Sequence, residues 1–150
     1  MSLSIKQRMS RYPFISEMNM SVSNAIELMH NCKIRHLPVI ANDLIIGVVS
    51  ERDLIGAMGR DGSGKSTVAD CMTKNPYTVD PTTPLEVVVS HMARCKIGCA
   101  LISNPKHQIL GIFTTTDALI LLAELLGEDD SSFKGFPVEM YMTRLEAISV

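Results

Sequence analysis

The strongest constraint in this 150-residue chain is that it repeats itself once. Displaced by 63 positions, Pro13 falls on Pro76, Met29 on Met92, Cys32 on Cys95, Lys33 on Lys96 and Ile34 on Ile97. One inserted residue makes the displacement 64, and Gly47 then falls on Gly111, Ser50 on Thr114 and Asp53 on Asp117. A self-similar chain builds one unit twice, and a copy of roughly 60 residues buries little surface alone. The two copies are therefore expected to pack sheet to sheet around one shared core. Apolar residues at 46% supply that core without a disulfide or metal staple.

Each copy reads as β-α-β-β-α. The first opens with an extended piece at Phe14-Ile15. Ser21 or Ser23 then caps a helix whose apolar residues Val22, Ala25, Ile26 and Met29 follow a helical period. A strand at Leu37–Ile40, a turn at Ala41-Asn42-Asp43 and a strand at Ile45–Val49 precede a helix from Glu51 to Met58, with Gly59 expected to end it. The second copy repeats this order: extended residues at Tyr77-Thr78-Val79, Pro84 opening a helix towards Arg94, strands at Ala100–Ile102 and Ile109–Phe113, and a helix from Thr115 to Leu126. The fold class is thus α/β (α+β), with repeats at 8–60 and 71–127, a linker at 61–70 and a tail at 128–150. In the tail, Val138–Arg144 echoes Val68–Lys74.

The net charge of −2 implies no polybasic face, so nucleic acid is not an expected partner. The apolar stretch Ala118–Ala123 is too short to span a bilayer, and the N-terminus has no charged-then-apolar signal pattern. We read the chain as cytoplasmic and without a membrane partner. Cys32, Cys71, Cys95 and Cys99 form no C-x-x-C pair and read as reduced core cysteines. His30, His91 and His107 are scattered, with no nucleophile–base or metal-ligand set around them. Gly59–Ser66 fits the P-loop pattern G-x-x-x-x-G-K-[ST], but a working P-loop follows a buried strand, whereas a helix precedes this one. It reads as a solvated linker.

Two segments, Ile34-Arg35-His36-Leu37-Pro38-Val39-Ile40 and Gly47-Val48-Val49-Ser50-Glu51-Arg52-Asp53-Leu54, have a partner in Gly111-Ile112-Phe113-Thr114-Thr115-Thr116-Asp117-Ala118. With Val68–Pro76 between the copies, this arrangement resembles a tandem pair of cystathionine-β-synthase (CBS) domains, a Bateman module, over about residues 8 to 127. The resemblance implies a non-catalytic regulatory module. Adenosine compounds such as AMP, ADP, ATP or S-adenosylmethionine bind in clefts between its sheets, and homodimers act on an effector protein that the sequence does not name. It also implies that basic residues before the Leu-Pro-Val strand contact phosphate, often in the cleft whose ribose carboxylate belongs to the other copy. Backbone groups at Ile15 and Thr78 would meet the adenine edge.

The residues support that chemistry. Ser50-x-x-Asp53 and Thr114-x-x-Asp117 each stand where a strand turns into a helix. A helix N-terminus offers unpaired N–H groups and positive dipole to a phosphate, and a carboxylate can accept both hydrogen bonds of a ribose diol. The same pattern is also a helix cap, and the two roles can coexist. Gly47 and Gly111 leave space for an adenine or for close packing. Where the first copy has Arg35 and His36, the second has Gly98 and Cys99 at the matched positions. On the resemblance, the Asp117 cleft would use Arg35 and His36, while the Asp53 cleft would meet only Gly98 and Cys99. The competing reading makes Arg35 a solvated strand-end charge and His36 a packed histidine. A structural or dimerisation module without a nucleotide is the alternative function. The nearly all-apolar helix at 118–123 is expected to meet a second copy of the chain, or to be covered by Phe133, Phe136, Val138 and Met140.

Overall fold

The computed structural model describes residues 2–127. Both repeats fold as the periodicity implies, each around a four-stranded sheet. In the first half, β2 (Ser16–Glu17) runs parallel to β3 (His36–Ala41), which pairs antiparallel with β4 (Leu44–Ser50). In the second, β6 (Thr78–Val79) runs parallel to β7 (Cys99–Ser103), antiparallel to β8 (Ile109–Thr114). Helices α1 (Val22–Cys32) and α2 (Glu51–Arg60) accompany the first sheet, and α4 (Leu85–Cys95) and α5 (Thr115–Leu125) the second. Even local irregularities recur. The register shifts between Val39 and Ile40 and again between Ile102 and Ser103. Lys33 and Lys96 both close their helices with φ of 54°, a left-handed turn that swings the chain from helix into strand.

The fourth strand of each sheet comes from the other repeat's lead-in. Strand β1 (Ser10–Arg11) pairs with β8, and β5 (Thr73–Lys74) pairs with β4. The exchange extends upstream. Ile5, in the 3₁₀ turn Ile5–Gln7, is fully buried in the core of the second half. Val68, at the start of the short helix α3 (Val68–Cys71), is fully buried in the core of the first. Ser4 and Thr67 cap these turns at matched positions, so the repeat begins well before Pro13. Gly47 and Gly111 serve this crossing. A Cβ on Gly47 would stand 2.8 Å from the Thr73 carbonyl, and one on Gly111 2.9 Å from the Ser10 carbonyl. Of the two uses open to these glycines, close backbone packing is the one the structure shows.

Each half has its own core between sheet and helices, and the sheets meet through a third cluster of Ile45, Cys99, Leu101 and Ile112. The Ile45 amide donates to the His107 carbonyl across that junction at 3.1 Å.

Several boundaries differ from expectation. Helix α2 runs through Gly59 and ends at Arg60, because neither a left-handed φ nor a steric block stops it there. Pro84 is the residue before α4 rather than inside it, and Ser21, not Ser23, caps α1 by accepting from the Asn24 amide at 3.1 Å. The first extended segment pairs at Ser16–Glu17, two residues beyond Phe14-Ile15. Cys95 is exposed and not a core residue, unlike buried Cys32 and Cys99. The P-loop-like segment emerges from helix α2. The Asp61 carboxylate already accepts from the Ser63 amide (3.1 Å), the Ser63 hydroxyl (2.7 Å) and the Ser66 hydroxyl (2.8 Å). The tail residues, including Phe133, Phe136, Val138 and Met140, lie outside the described residues.

Candidate functional site

The two strand-to-helix corners are built alike. At the first, the Asp53 amide donates to Ser50 Oγ (3.1 Å) while the Ser50 amide donates to Asp53 Oδ2 (2.9 Å). At the second, the Asp117 amide donates to Thr114 Oγ1 (3.3 Å) while the Thr114 amide donates to Asp117 Oδ2 (2.8 Å). Both corners are therefore capping boxes, with Asp replacing the usual Glu or Gln. The cap does not consume the carboxylate. Among the described residues, every hydrogen bond shown for either aspartate's carboxylate falls on Oδ2, which leaves Oδ1 for a hydroxyl donor.

A cleft opens beside each corner. The one at Asp53 has a volume of about 890 Å³ and is also lined by Ser50, Arg35, His36, Tyr77, His91, Lys96, Gly98 and Cys99. The one at Asp117 has a volume of about 440 Å³ and is also lined by Thr114, Arg35, His36, Lys33, Ser10 and Phe14. Both can enclose much of a ligand of nucleotide size. The structure thus brings Asp117, Thr114, Arg35 and His36 together, as expected.

The Asp53 cleft departs from expectation. It does not meet only Gly98 and Cys99, because Arg35 and His36 line it too, with Arg52, Lys96 and His91. The reason is steric. The His36 imidazole lies over Gly98, and a Cβ there would come within 2.6 Å of Nε2. Thr78 and Ile15 line neither of these two cavities. Their predecessors Tyr77 and Phe14 do, because successive residues of an extended chain face opposite ways. Thr78 instead donates its hydroxyl to the Pro76 carbonyl at 3.0 Å. The aromatic wall of the Asp53 cleft was missed from sequence. Tyr77 stacks on His91 with ring centroids 4.0 Å apart and 23° between planes. The available signal was that Phe14 and Leu28 occupy the matched positions of the first repeat.

Burial sets the electrostatics. It holds the His36 imidazole below its ordinary value, with the Asp53 charge opposing and the Arg35 charge assisting. Burial also raises the Asp117 carboxyl, against hydrogen bonds from Thr114 and the nearby charge of Arg8. Arg8 itself pairs with Glu124 of α5 at 2.5 Å, tying the first lead-in to the last helix. Burial pushes the Cys99 thiol up to about 12, so it stays protonated against the cleft.

This architecture occurs in known proteins. A crystal structure of a Vibrio cholerae protein ascribed to acetoin utilization superposes with a TM-score of 0.78 at 27% identity, over 84% of this chain and 96% of that one. The CBS domain pair of protein MJ0100, in complex with 5′-methylthioadenosine and S-adenosyl-L-methionine, gives 0.75 at 23% identity, over 83% and 98%. CBSX2 in complex with AMP gives 0.70 at 24% identity, over 81% and 97%. In sequence, L-aspartate semialdehyde sulfurtransferase of Methanocaldococcus jannaschii is 24% identical over 114 residues, 75% of this chain but only 22% of that enzyme. The family model described as CBS domain matches residues 4–60 and 68–124, and so includes both exchanged lead-ins. The chain belongs to the CBS domain family and carries two copies of the domain in tandem.

Proposed function

We propose that this CBS pair is a non-catalytic regulatory module that senses an adenosine-containing ligand, of the AMP, ADP or ATP class, in the clefts between its repeats. The observation that carries the reading is the pairing, in one cleft, of a carboxylate with a spare oxygen and the Arg35 guanidinium beside the His36 imidazole. Asp117 accepts the ribose diol, Thr114 and the start of α5 face the phosphate, Arg35 neutralises it and the His36 imidazole donates a ring N–H to it. Asp53 and Ser50 play the same parts in the second cleft. Backbone groups around Ile15 and Thr78 meet the adenine, flanked by Phe14 and Tyr77. The two solved relatives with AMP, or with methylthioadenosine and S-adenosylmethionine, support the adenosine class, and S-adenosylmethionine is the alternative ligand.

The Asp117 cleft is the preferred site for a phosphorylated ligand. It is the smaller, and in it Lys33 and Arg35 stand against one acidic side chain, whereas in the other Arg35, Arg52 and Lys96 stand against Glu51 and Asp53. Calorimetry against AMP, ADP, ATP and S-adenosylmethionine tests both statements. Asp117→Ala should weaken the tightest nucleotide event at least tenfold, about the effect of one charge-assisted hydrogen bond, and Asp53→Ala should leave it in place. Equal losses would remove the asymmetry, and no binding of any of these compounds would leave a structural or dimerisation module instead. No helix among the described residues is long and apolar enough to cross a membrane. We place the module in the cytoplasm, as a homodimer acting on an effector protein.

A further inference from the structure

Two clefts share the Arg35 guanidinium and the His36 imidazole beside it. At the positions matching Arg35 and His36 the second repeat has Gly98 and Cys99, so it supplies no cations of its own there. Arg35 and His36 begin the first repeat's central hairpin and line both cavities. The absent side chain at Gly98 makes the sharing possible: the imidazole occupies the space a Cβ would need, at the junction of the two clefts.

We propose that Arg35 and His36 act as a shared phosphate clamp, so that a phosphorylated ligand in one cleft disfavours a phosphorylated ligand in the other, while an uncharged adenosine ligand fills both. This rests on reading both clefts as adenosine sites. The physical cause is direct. A phosphate that engages the Arg35 guanidinium and the His36 imidazole fixes their rotamers, so a second phosphate loses that cation, keeps only Lys33 or Arg52 and Lys96 of its own cleft, and meets another phosphate nearby. A ligand without phosphate makes no demand on the pair and senses no neighbour. The module would thereby respond to the phosphorylated and unphosphorylated members of one ligand class with different stoichiometries.

Titration of the full chain with adenosine and with AMP is the test. Adenosine should bind twice with affinities within about threefold, and AMP should show two events at least tenfold apart, the size of one charge-assisted hydrogen bond. In the Arg35→Ala/His36→Ala double variant the gap between the AMP events should collapse to within about threefold, the effect of removing the coupling. Gly98→Ala is the milder variant. It displaces only the far end of the His36 side chain, and it should change the ratio of the two AMP events even where the double variant does not fold. Two equal AMP events in the parent chain, adenosine events as far apart as those of AMP, or a gap unchanged by either variant would each overturn the shared clamp. Absence of binding by either compound would remove the adenosine reading itself, and the clamp with it.

Discussion

The two halves of this molecule are near copies in backbone and unlike in two side-chain environments: the last helices and the clefts. The likeness shows what the fold demands. Both lead-ins cross to the opposite sheet, both crossings pass over a glycine, and both helices α2 and α5 open with a Ser/Thr–Asp box. Traits kept in both copies despite little other identity are the ones the geometry enforces. The unlikeness shows where this chain has been individualised. One half carries Arg35-His36 and the other Gly98-Cys99, one cleft has the Tyr77–His91 stack and the other Phe14, and only α5 presents a run of exposed leucines.

The largest effect should come from the lead-ins. Ile5 and Val68 are matched, fully buried, and inserted in the core of the opposite half. Ile5→Ala should cost about 2–5 kcal/mol, with Val68→Ala costing less because fewer methylenes are removed. Hydrogen exchange should show Ile5→Ala loosening the second sheet first, and Val68→Ala the first sheet. Identical protection patterns in both variants would break the idea of reciprocal exchange.

The last helices come next. On α5, Ala118 and Leu121 pack towards the second core while Leu119, Leu122 and Leu125 are 65%, 50% and 76% exposed. On α2, Ile55 is the large exposed apolar residue. If a second copy covers α5, Leu119→Glu/Leu122→Glu should turn a dimer into a monomer in sedimentation, whereas Ile55→Glu alone should shift the equilibrium less. A parent chain already monomeric at micromolar concentration would end the dimer reading.

The smallest effect concerns the Asp117 carboxylate. Burial raises the Asp117 carboxyl, so the folded state binds its proton more tightly than the unfolded chain does. That contribution is fully present below the unfolded value near 3.8 and is lost as pH rises through the folded one. At pH 7 the ionised Asp117 is therefore a cost to folding, and Asp117→Asn should raise the melting temperature slightly while weakening its ribose contact. Thermal melts at pH 3 and pH 7 check the sign: the Asp117→Asn advantage should be present at pH 7 and vanish at pH 3, below the unfolded value.

Much of this was open to a reader of the sequence. The 63-residue displacement and the helical and strand periods implied two β-α-β-β-α units. Ser50-x-x-Asp53 and Thr114-x-x-Asp117 marked both corners, and Arg35-His36 against Gly98-Cys99 marked the charge difference. These features are local, set by propensity, period and capping within a few residues. The exchange of lead-ins was not legible, because residues 4–11 carry no sign of which sheet they will join. The course of α2 past Gly59 and the exposure of Cys95 were also settled by surroundings rather than by residue type. Above all, the sequence determined that only the first repeat carries an Arg-His pair before its central strand, and tertiary packing decided that both clefts reach it. A side chain's address is fixed by what stands opposite, and opposite His36 stands a glycine 62 residues away in the other repeat.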